Sequence, residues 1–550
     1  MPHAVSIASP GLQALILCGP GVSFPTFTSN PDQNPKALLP IANRPMVWYP
    51  IEFCYRSGIT NITLICPPSS AEAITTALNT NPFLTSLPHP RPDLLAPKDL
   101  DQNTGTAEIL RLPEVQSLVT SDFVVLPCDL VCELGGDKLV QAWMVKAASL
   151  SELLGDQRPA QKGHSGGLGV WYQTKTATPI KGQETDFLAT VPLPSTTVQP
   201  PKGSLLNNLS RVVCSMPTDA LNDLTETKHG FPIRHGLIRN HPRVRMLTTH
   251  RDAHIYIFPR WVMQLIAGNE RLEAIGEDVV GWWAKAGWQK GLSEKVGFDS
   301  IFEHSDSQED KGSTHGEESD SPRKPKPEEL RVESAGGGKT VTASEVNAHI
   351  RNNDILPEPE QGFAPPFLAY VHSALPEEPL IRRVDTAKLL LQTSLLLAKI
   401  PSIEETGSEK ASPFAHARKV AYPEGVKPRT TITKLDSLIA ENVTVEEKTS
   451  IKESIIGANC QIHEGAKLAQ CLLMEGVVVG KNCKLTGCVL GKRSEIGEGS
   501  TLTNCEVQEN LLVEPRTDGK DEKLMSSSGL EATEEEIQDV LDQDDDTEAD

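Results

Sequence analysis

Three rows of aliphatic residues near the C-terminal end share one spacing. Val445, Ile462, Val479 and Ile496 lie 17 residues apart; so do Ile451, Leu468, Leu485 and Leu502; so do Ile439, Ile456, Leu473, Leu490 and Val507. Within each coil the apolar steps run 6, 6 and 5. That rhythm predicts a parallel β-helix of hexapeptide repeats, about four triangular coils over 431–513. The period is not a multiple of 3.6, which excludes an amphipathic helix. Four residues after the first row stand Thr449, Ala466, Cys483 and Ser500, all small, as inward positions beside bulky aliphatics should be. One residue after it stand Glu446, His463, Gly480 and Gly497, where glycine suits a chain turning a corner. Cys471, Cys488 and Cys505 repeat at the same interval. They read as stacked small residues, since structural zinc sites cluster their ligands more closely.

The remaining chain needs more than one domain, because 550 residues exceed the usual domain size several-fold. Apolar content of 38% is low, and residues 303–346 carry almost no apolar side chain, so they cannot offset their ordering entropy and are expected to be a disordered insertion. A linker is expected over 401–430 and an acidic disordered tail over 514–550. Glu531 to Asp550 hold eleven acidic residues and no basic one. The eleven cysteines show no disulfide framework and fit a reducing compartment, so a cytosolic location is expected. No run of about 18 apolar residues occurs, which excludes a membrane span of the usual helical kind. A net charge of −21 argues against non-specific nucleic-acid binding.

Residues 10–400 alternate strand and helix. Buried strands are expected at 12–18, 62–66, 123–126, 168–172, 244–248, 253–258 and 367–371, with helices at 45–55 and 70–78. Such alternation makes an α/β, Rossmann-like sheet, mainly parallel. The first strand leads into Gly19-Pro20-Gly21, at the strand end where these folds bind nucleotides. Lys36 in a Pro-Lys pair, Gly105-Thr106-Ala107, and Asp129 just after a buried strand complete the pattern. Together they resemble the nucleotidyltransferase domain of the sugar-nucleotide pyrophosphorylase superfamily, in which a β-helix commonly follows. That resemblance is also what implies a left-handed coil. Active relatives carry Gly-x-Gly-Thr-Arg, whereas Val22 and Ser23 stand at the Thr-Arg positions here. Cys128 replaces the glycine before the metal aspartate. His254 replaces the glycine of the sugar-contact segment and would crowd a sugar. Loss of the loop arginine alone removes about 1.5–3 kcal/mol of charge-assisted phosphate binding. The expectation is a vestigial pocket of Gly19, Gly21, Lys36, Gly105, Thr106, Asp129 and His254, with no catalytic residue, no metal and no cofactor.

Trp48-Tyr49-Pro50 at the first helix, the degraded loop, and only about 35 polar residues after Pro515 resemble the gamma-type subunits of the guanine-nucleotide exchange factor for eukaryotic initiation factor 2. The epsilon paralogue would continue into a helical catalytic domain. The resemblance implies a regulatory and structural subunit of the complex for GDP–GTP exchange in translation initiation. Its implied partners are the epsilon paralogue, the alpha, beta and delta subunits, and initiation factor 2 as substrate, without direct nucleic-acid or membrane contact. Two alternatives stay open. Lys36, Asp129 and Gly105-Thr106-Ala107 would also serve an active pyrophosphorylase forming, for example, GDP-mannose or ADP-glucose. A pseudo-enzyme could retain a nucleotide as a regulatory ligand. Arg382-Arg383 reads as a helix-start and packing feature.

Overall fold

The structure is a computed structural model. It describes residues 10–19, 23–101, 103–153, 165–175, 179–180, 182–194, 199–231, 233–289, 291–298, 300–302, 364–373, 378–407 and 411–526, with backbone only over 147–153. The expected insertion at 303–346 lies outside the described residues, as does 527–550 of the expected tail.

Nine strands form the central sheet: β1 (Gln13–Leu17), β2 (Asn61–Ile65), β3 (Asp93–Leu95), β4 (Phe123–Pro127), β5 (Leu168–Gln173), β6 (Asp186–Pro192), β7 (Leu209–Pro217), β8 (Arg245–Phe258) and β9 (Leu368–His372). Their order is β3-β2-β1-β4-β8-β5-β9-β7-β6, with β8 also touching β6. β1 to β4 run parallel, as their continuous apolar runs require when both faces are covered. Helices α1 (Trp48–Arg56), α2 (Pro68–Thr80) and α3 (Thr106–Arg111) connect them. β8 joins antiparallel to β4. Two expected strands, 244–248 and 253–258, are in fact this one strand, bent by a register shift between Asp252 and Tyr256. β3, β6 and β7 are missing from the sequence reading. Helix α1 starts at Trp48 rather than Pro45, because Arg44–Pro45 pairs with Pro40–Ile41 instead.

The C-terminal region is a solenoid of three parallel sheets. Ile451 pairs with Leu468, Leu468 with Leu485 and Leu485 with Leu502, each one coil apart. The twelve expected core residues, Val445, Ile451, Ile456, Ile462, Leu468, Leu473, Val479, Leu485, Leu490, Ile496, Leu502 and Val507, are all buried in one interior cluster. Thr449, Ala466, Cys483 and Ser500 are buried too. The stacked cysteines donate to backbone carbonyls, Cys471 Sγ to Ala469 O at 3.2 Å and Cys488 Sγ to Leu502 O at 3.3 Å.

Two readings need correction. The solenoid is longer than 431–513: pairing starts with Val420 and Val426, inside the expected linker, and ends with Lys523–Leu524, inside the expected tail. The first coil was hidden because its register is 19, not 17; Ile432 pairs with Ile451, and Leu435 bulges out, 79% exposed. The last coil was hidden because Gly519 takes the inward place beside Leu502. The corner glycines were also misread. The left-handed corners are Asn442, Asn459, Gly476, Arg493 and Asn510, with parallel columns through Asn482 and Asn504. Gly480 and Gly497 serve close approach: a Cβ at Gly497 would lie 2.4 Å from Pro515 N, and one at Gly480 2.7 Å from Ile496 O.

One side of the triangle packs on the sheet domain. Its strands, Leu438–Ile439, Ile455–Ile456, Leu472–Leu473 and Val489–Leu490, are apolar at both positions. The second residue of each faces the solenoid interior; the first joins the large core that includes Leu389, Leu390 and Leu397 of helix α4 (Ala387–Lys399). Burying four such side chains is worth about 6–12 kcal/mol before entropy. Asn43 Nδ2 donates to Ile456 O at 3.0 Å, and Thr26 Oγ1 donates to Glu506 at 3.2 Å. The Trp-Tyr-Pro run belongs to this junction. Arg44 lies over Trp48 and donates to Phe414 O and Ala415 O, while Tyr49 meets the Phe414 ring at 5.2 Å. Among the described residues, no helix is long and apolar enough to cross a membrane.

Candidate functional site

β1 and β4 deliver their C-terminal ends side by side, with Cys128 N donating to Leu17 O. That edge holds Gly19, at φ 132°, and Asp129. Gly21 lies outside the described residues. Lys36, on the short turn Lys36–Leu38, sends Nζ to Asp129 Oδ2 at 2.8 Å and to Ser23 Oγ at 3.1 Å. The second oxygen of Asp129 accepts from Arg383 Nε at 3.3 Å. Burial alone would push the Asp129 carboxyl up; Lys36 and Arg383 outweigh it and hold it well below the usual carboxylate range. Burial opposes the charge on Lys36, yet Asp129 raises its ammonium pKa.

Arg383 is the functional residue that sequence reasoning missed. Ile381–Arg383 pairs antiparallel with Leu130–Cys132, which sets Arg383 opposite Leu130 and so beside Asp129. Only that long-range register reveals the contact. The helix start itself belongs to Thr386, whose Oγ1 accepts from Leu389 N, while Arg382 packs over the Tyr172 ring and donates to Gln173 O at 3.1 Å.

His254 sits in the bulge of β8 at φ 52°, a left-handed backbone that favours the glycine expected there. Burial, then Arg383, keeps its imidazole pKa well below the ordinary value, so the ring is neutral. The backbone N–H of His254 donates to Asp252 Oδ1 at 2.8 Å, and Asp252 also accepts from the Tyr256 hydroxyl. Burial and the nearby Asp186 push the Asp252 carboxyl up to about 7.

Gly105 and Thr106, at the start of α3, are engaged elsewhere. Gly105 N donates to Glu108 at 2.7 Å, Ala107 N donates to Glu273 O at 2.8 Å, and Thr106 Oγ1 accepts from Ile275 N at 2.9 Å. A Cβ on Gly105 would lie 2.3 Å from Glu273 O, so glycine here serves the chain's own close approach. The same segment reaches the other group, for Gly276 lies against Tyr256, Asp252 and His254. Two backbone donors at this helix start, Gly105 N and Ala107 N, are therefore occupied from within.

A Mg²⁺ centre needs free carboxylate oxygens in octahedral array. Both oxygens of Asp129 hold cations, and among the described residues no group of three His, Cys, Asp or Glu is placed to hold a metal ion. The residues present do not fit that ion.

Fold and site together define a nucleotidyltransferase-type domain joined to a hexapeptide β-helix. Residues 31–163 match the family model for nucleotidyl transferase, and residues 423–518 match that for the LbH domain of EIF2B subunit epsilon. Along the chain, the similarity is to gamma subunits. It is 29% identical over 283 residues to translation initiation factor eIF2B subunit gamma of Schizosaccharomyces pombe, covering 51% of this chain and 53% of that protein. It is 25% identical over 246 residues to the protein of that name from Dictyostelium discoideum, covering 43% and 47%. The chain spans about half the length of the curated relatives it matches.

Proposed function

We propose that this chain is a non-catalytic subunit of an eIF2B-type complex that promotes GDP–GTP exchange on initiation factor 2, acting in the cytosol. Its similarity to two gamma subunits, together with an eIF2B-type β-helix, carries this reading. The proposed partners are a longer epsilon paralogue, the alpha, beta and delta subunits, and initiation factor 2. The pocket of Gly19, Gly21, Lys36, Gly105, Thr106, Asp129 and His254 is proposed to be a relic of transferase ancestry. Support comes from Asp129: each of its carboxylate oxygens already holds a cation in an ion pair, Lys36 on one and Arg383 on the other, and a metal–triphosphate complex would have to displace them. Transfer chemistry needs those same cations aimed at phosphate oxygens.

Purification of the tagged chain from its own cells, with mass spectrometry of the co-purifying proteins, tests the reading. Near-stoichiometric recovery of a longer paralogue and initiation factor 2 is the expected result. A lone homo-oligomer that releases pyrophosphate from a nucleoside triphosphate and a sugar phosphate would overturn it.

A further inference from the structure

Residues 228–251 contain six basic residues, four histidines and no acidic one, in a chain of net charge −21. Lys228 ends the helix Thr218–Lys228, Arg234 and Arg239 flank and enter the helix His235–Asn240, and Arg243 and Arg245 lead into β8. These five are exposed, and none forms an ion pair among the described residues. The sixth, Arg251, is bound internally by Asp385 and Glu184. Ile233, Ile238 and Met246 lie among the five, 47%, 57% and 44% exposed. Beneath them a small core of Phe187, Ala189, Val213, Cys214 and Leu237 keeps the surface in place. Five uncompensated cations interleaved with aliphatic side chains fit an acidic protein segment with aliphatic anchors. RNA is a poorer fit, because single strands dock on exposed aromatic platforms and the exposed large apolar side chains here are isoleucine and methionine.

The chain itself carries such a segment. Residues 531–550 hold eleven acidic side chains and no basic one, with Ile537, Val540 and Leu541 among them. The topology places the patch beyond the C-terminal ends of the central parallel strands, over β6, and the segment's root beside the stretch that follows β1. β8 runs antiparallel to β4 and pairs with it only through Tyr256–Phe258, so Arg245 and its neighbours extend past the C-terminal ends of β1 and β4. The stretch after β1 lies at that edge, and Gln508 ties it to the chain's exit: Nε2 donates to Ser29 Oγ at 3.1 Å, and Oε1 accepts from Ser526 N at 2.7 Å. From Ser526, the 24 residues that follow reach up to about 80 Å when extended. A tether of that length supplies an effective concentration near the millimolar range.

We propose that the basic patch around Lys228, Arg234, Arg239, Arg243 and Arg245 is the docking surface for the chain's own acidic segment 531–550, with Ile537, Val540 and Leu541 set against Ile233, Ile238 and Met246. The inference goes beyond the proposed function and does not depend on it.

Zero-length carbodiimide cross-linking of the full chain, read by mass spectrometry, tests the contact. The expected product joins Lys228 to a carboxylate within 531–550. Its yield is expected to fall at least about fivefold at about 1 M salt, and as far in Arg234→Glu/Arg239→Glu/Arg243→Glu, which keeps Lys228. Those arginines are exposed, so an unchanged melting temperature verifies the fold of the variant. Arg234→Lys/Arg239→Lys is expected to restore the contact and add cross-links at both new amines. Cross-links from 531–550 only to other surfaces, or a Lys228 product indifferent to charge reversal, would overturn the proposal. So would products found only between isotopically distinct copies. An oligouridine 20-mer that binds the full chain through the same arginines, with no Lys228 product, assigns the patch to RNA and overturns it as well.

Discussion

Replacing Asp129 with asparagine removes the single negative charge that Lys36 and Arg383 share inside the sheet domain. Asp129 is 1% exposed, so little water is available to compensate. Removing one partner of a buried ion pair costs about 3–5 kcal/mol, because the other charge stays buried. Two cations are stranded here, although the amide oxygen of asparagine retains one neutral acceptor, so that range is the expected cost. At about 2 °C per kcal/mol for a domain of this size, the melting temperature should drop by roughly 6–10 °C. Tryptophan fluorescence melts at pH 7.5 provide the readout, since Trp171 and Trp283 lie in the sheet domain's core. The pH dependence has a definite sign. The folded Asp129 pKa is depressed, so its contribution is full above about pH 5 and is lost as pH falls through the unfolded value near 3.9 toward the folded one. The gap between parent and variant should therefore close on acidification and persist at alkaline pH. A catalytic metal carboxylate behaves oppositely, because its removal relieves stored repulsion and leaves stability equal or higher. A variant that melts within about 1 °C of the parent, or above it, would refute the clamp and with it the argument against transfer chemistry.

Leu472→Ala opens a cavity on the side of the solenoid that meets the sheet domain and should cost about 2–4 kcal/mol. The two domains should then unfold in separate urea transitions; one unchanged transition counts against the packing described. Gly497→Ala forces a methyl against the backbone of Pro515 and should cost about 1–3 kcal/mol, whereas Arg493→Gly, at φ 54°, should be tolerated. Hydrogen exchange over 510–524 checks both, and equal effects would contradict the assigned corner geometry. Asp252→Asn should stabilise by roughly 2–4 kcal/mol at pH 8 and very little near pH 4. A carboxyl raised to about 7 in the fold loses stability as pH climbs from its unfolded value toward that point. Equal shifts in melting temperature at the two pH values would rule out that account.

Much of the solenoid was legible because its information is local and repeated. Each inward residue meets its equivalent one coil away, so a 17-residue spacing read along the chain is also a contact map. Legibility failed where the repeat failed, at the 19-residue first register and at Gly519. One signal was present and passed over: the doubled apolar pairs Leu438–Ile439, Ile455–Ile456, Leu472–Leu473 and Val489–Leu490 mark a side buried on both faces. In the sheet domain, β1, β2 and β4 announced themselves as short apolar runs, while β6 and β7 lacked both strict alternation and a continuous run.

The site divides along the same line. Sequence by itself determined the strand ends that carry Gly19 and Asp129, the presence of Lys36, and the misfit of His254 in a glycine position, because each is tied to a local motif. It also determined the repeat that makes a solenoid. Only the tertiary structure decided what those residues do. Arg383 comes to Asp129 from 254 positions away through the pairing of Ile381–Arg383 with Leu130–Cys132. Residues 273–276 likewise fold across to occupy Thr106 and lie against Asp252 and Tyr256. The physical reason is that a charge's role depends on which counter-charge is buried beside it, and burial partners distant in sequence leave no periodic trace along the chain.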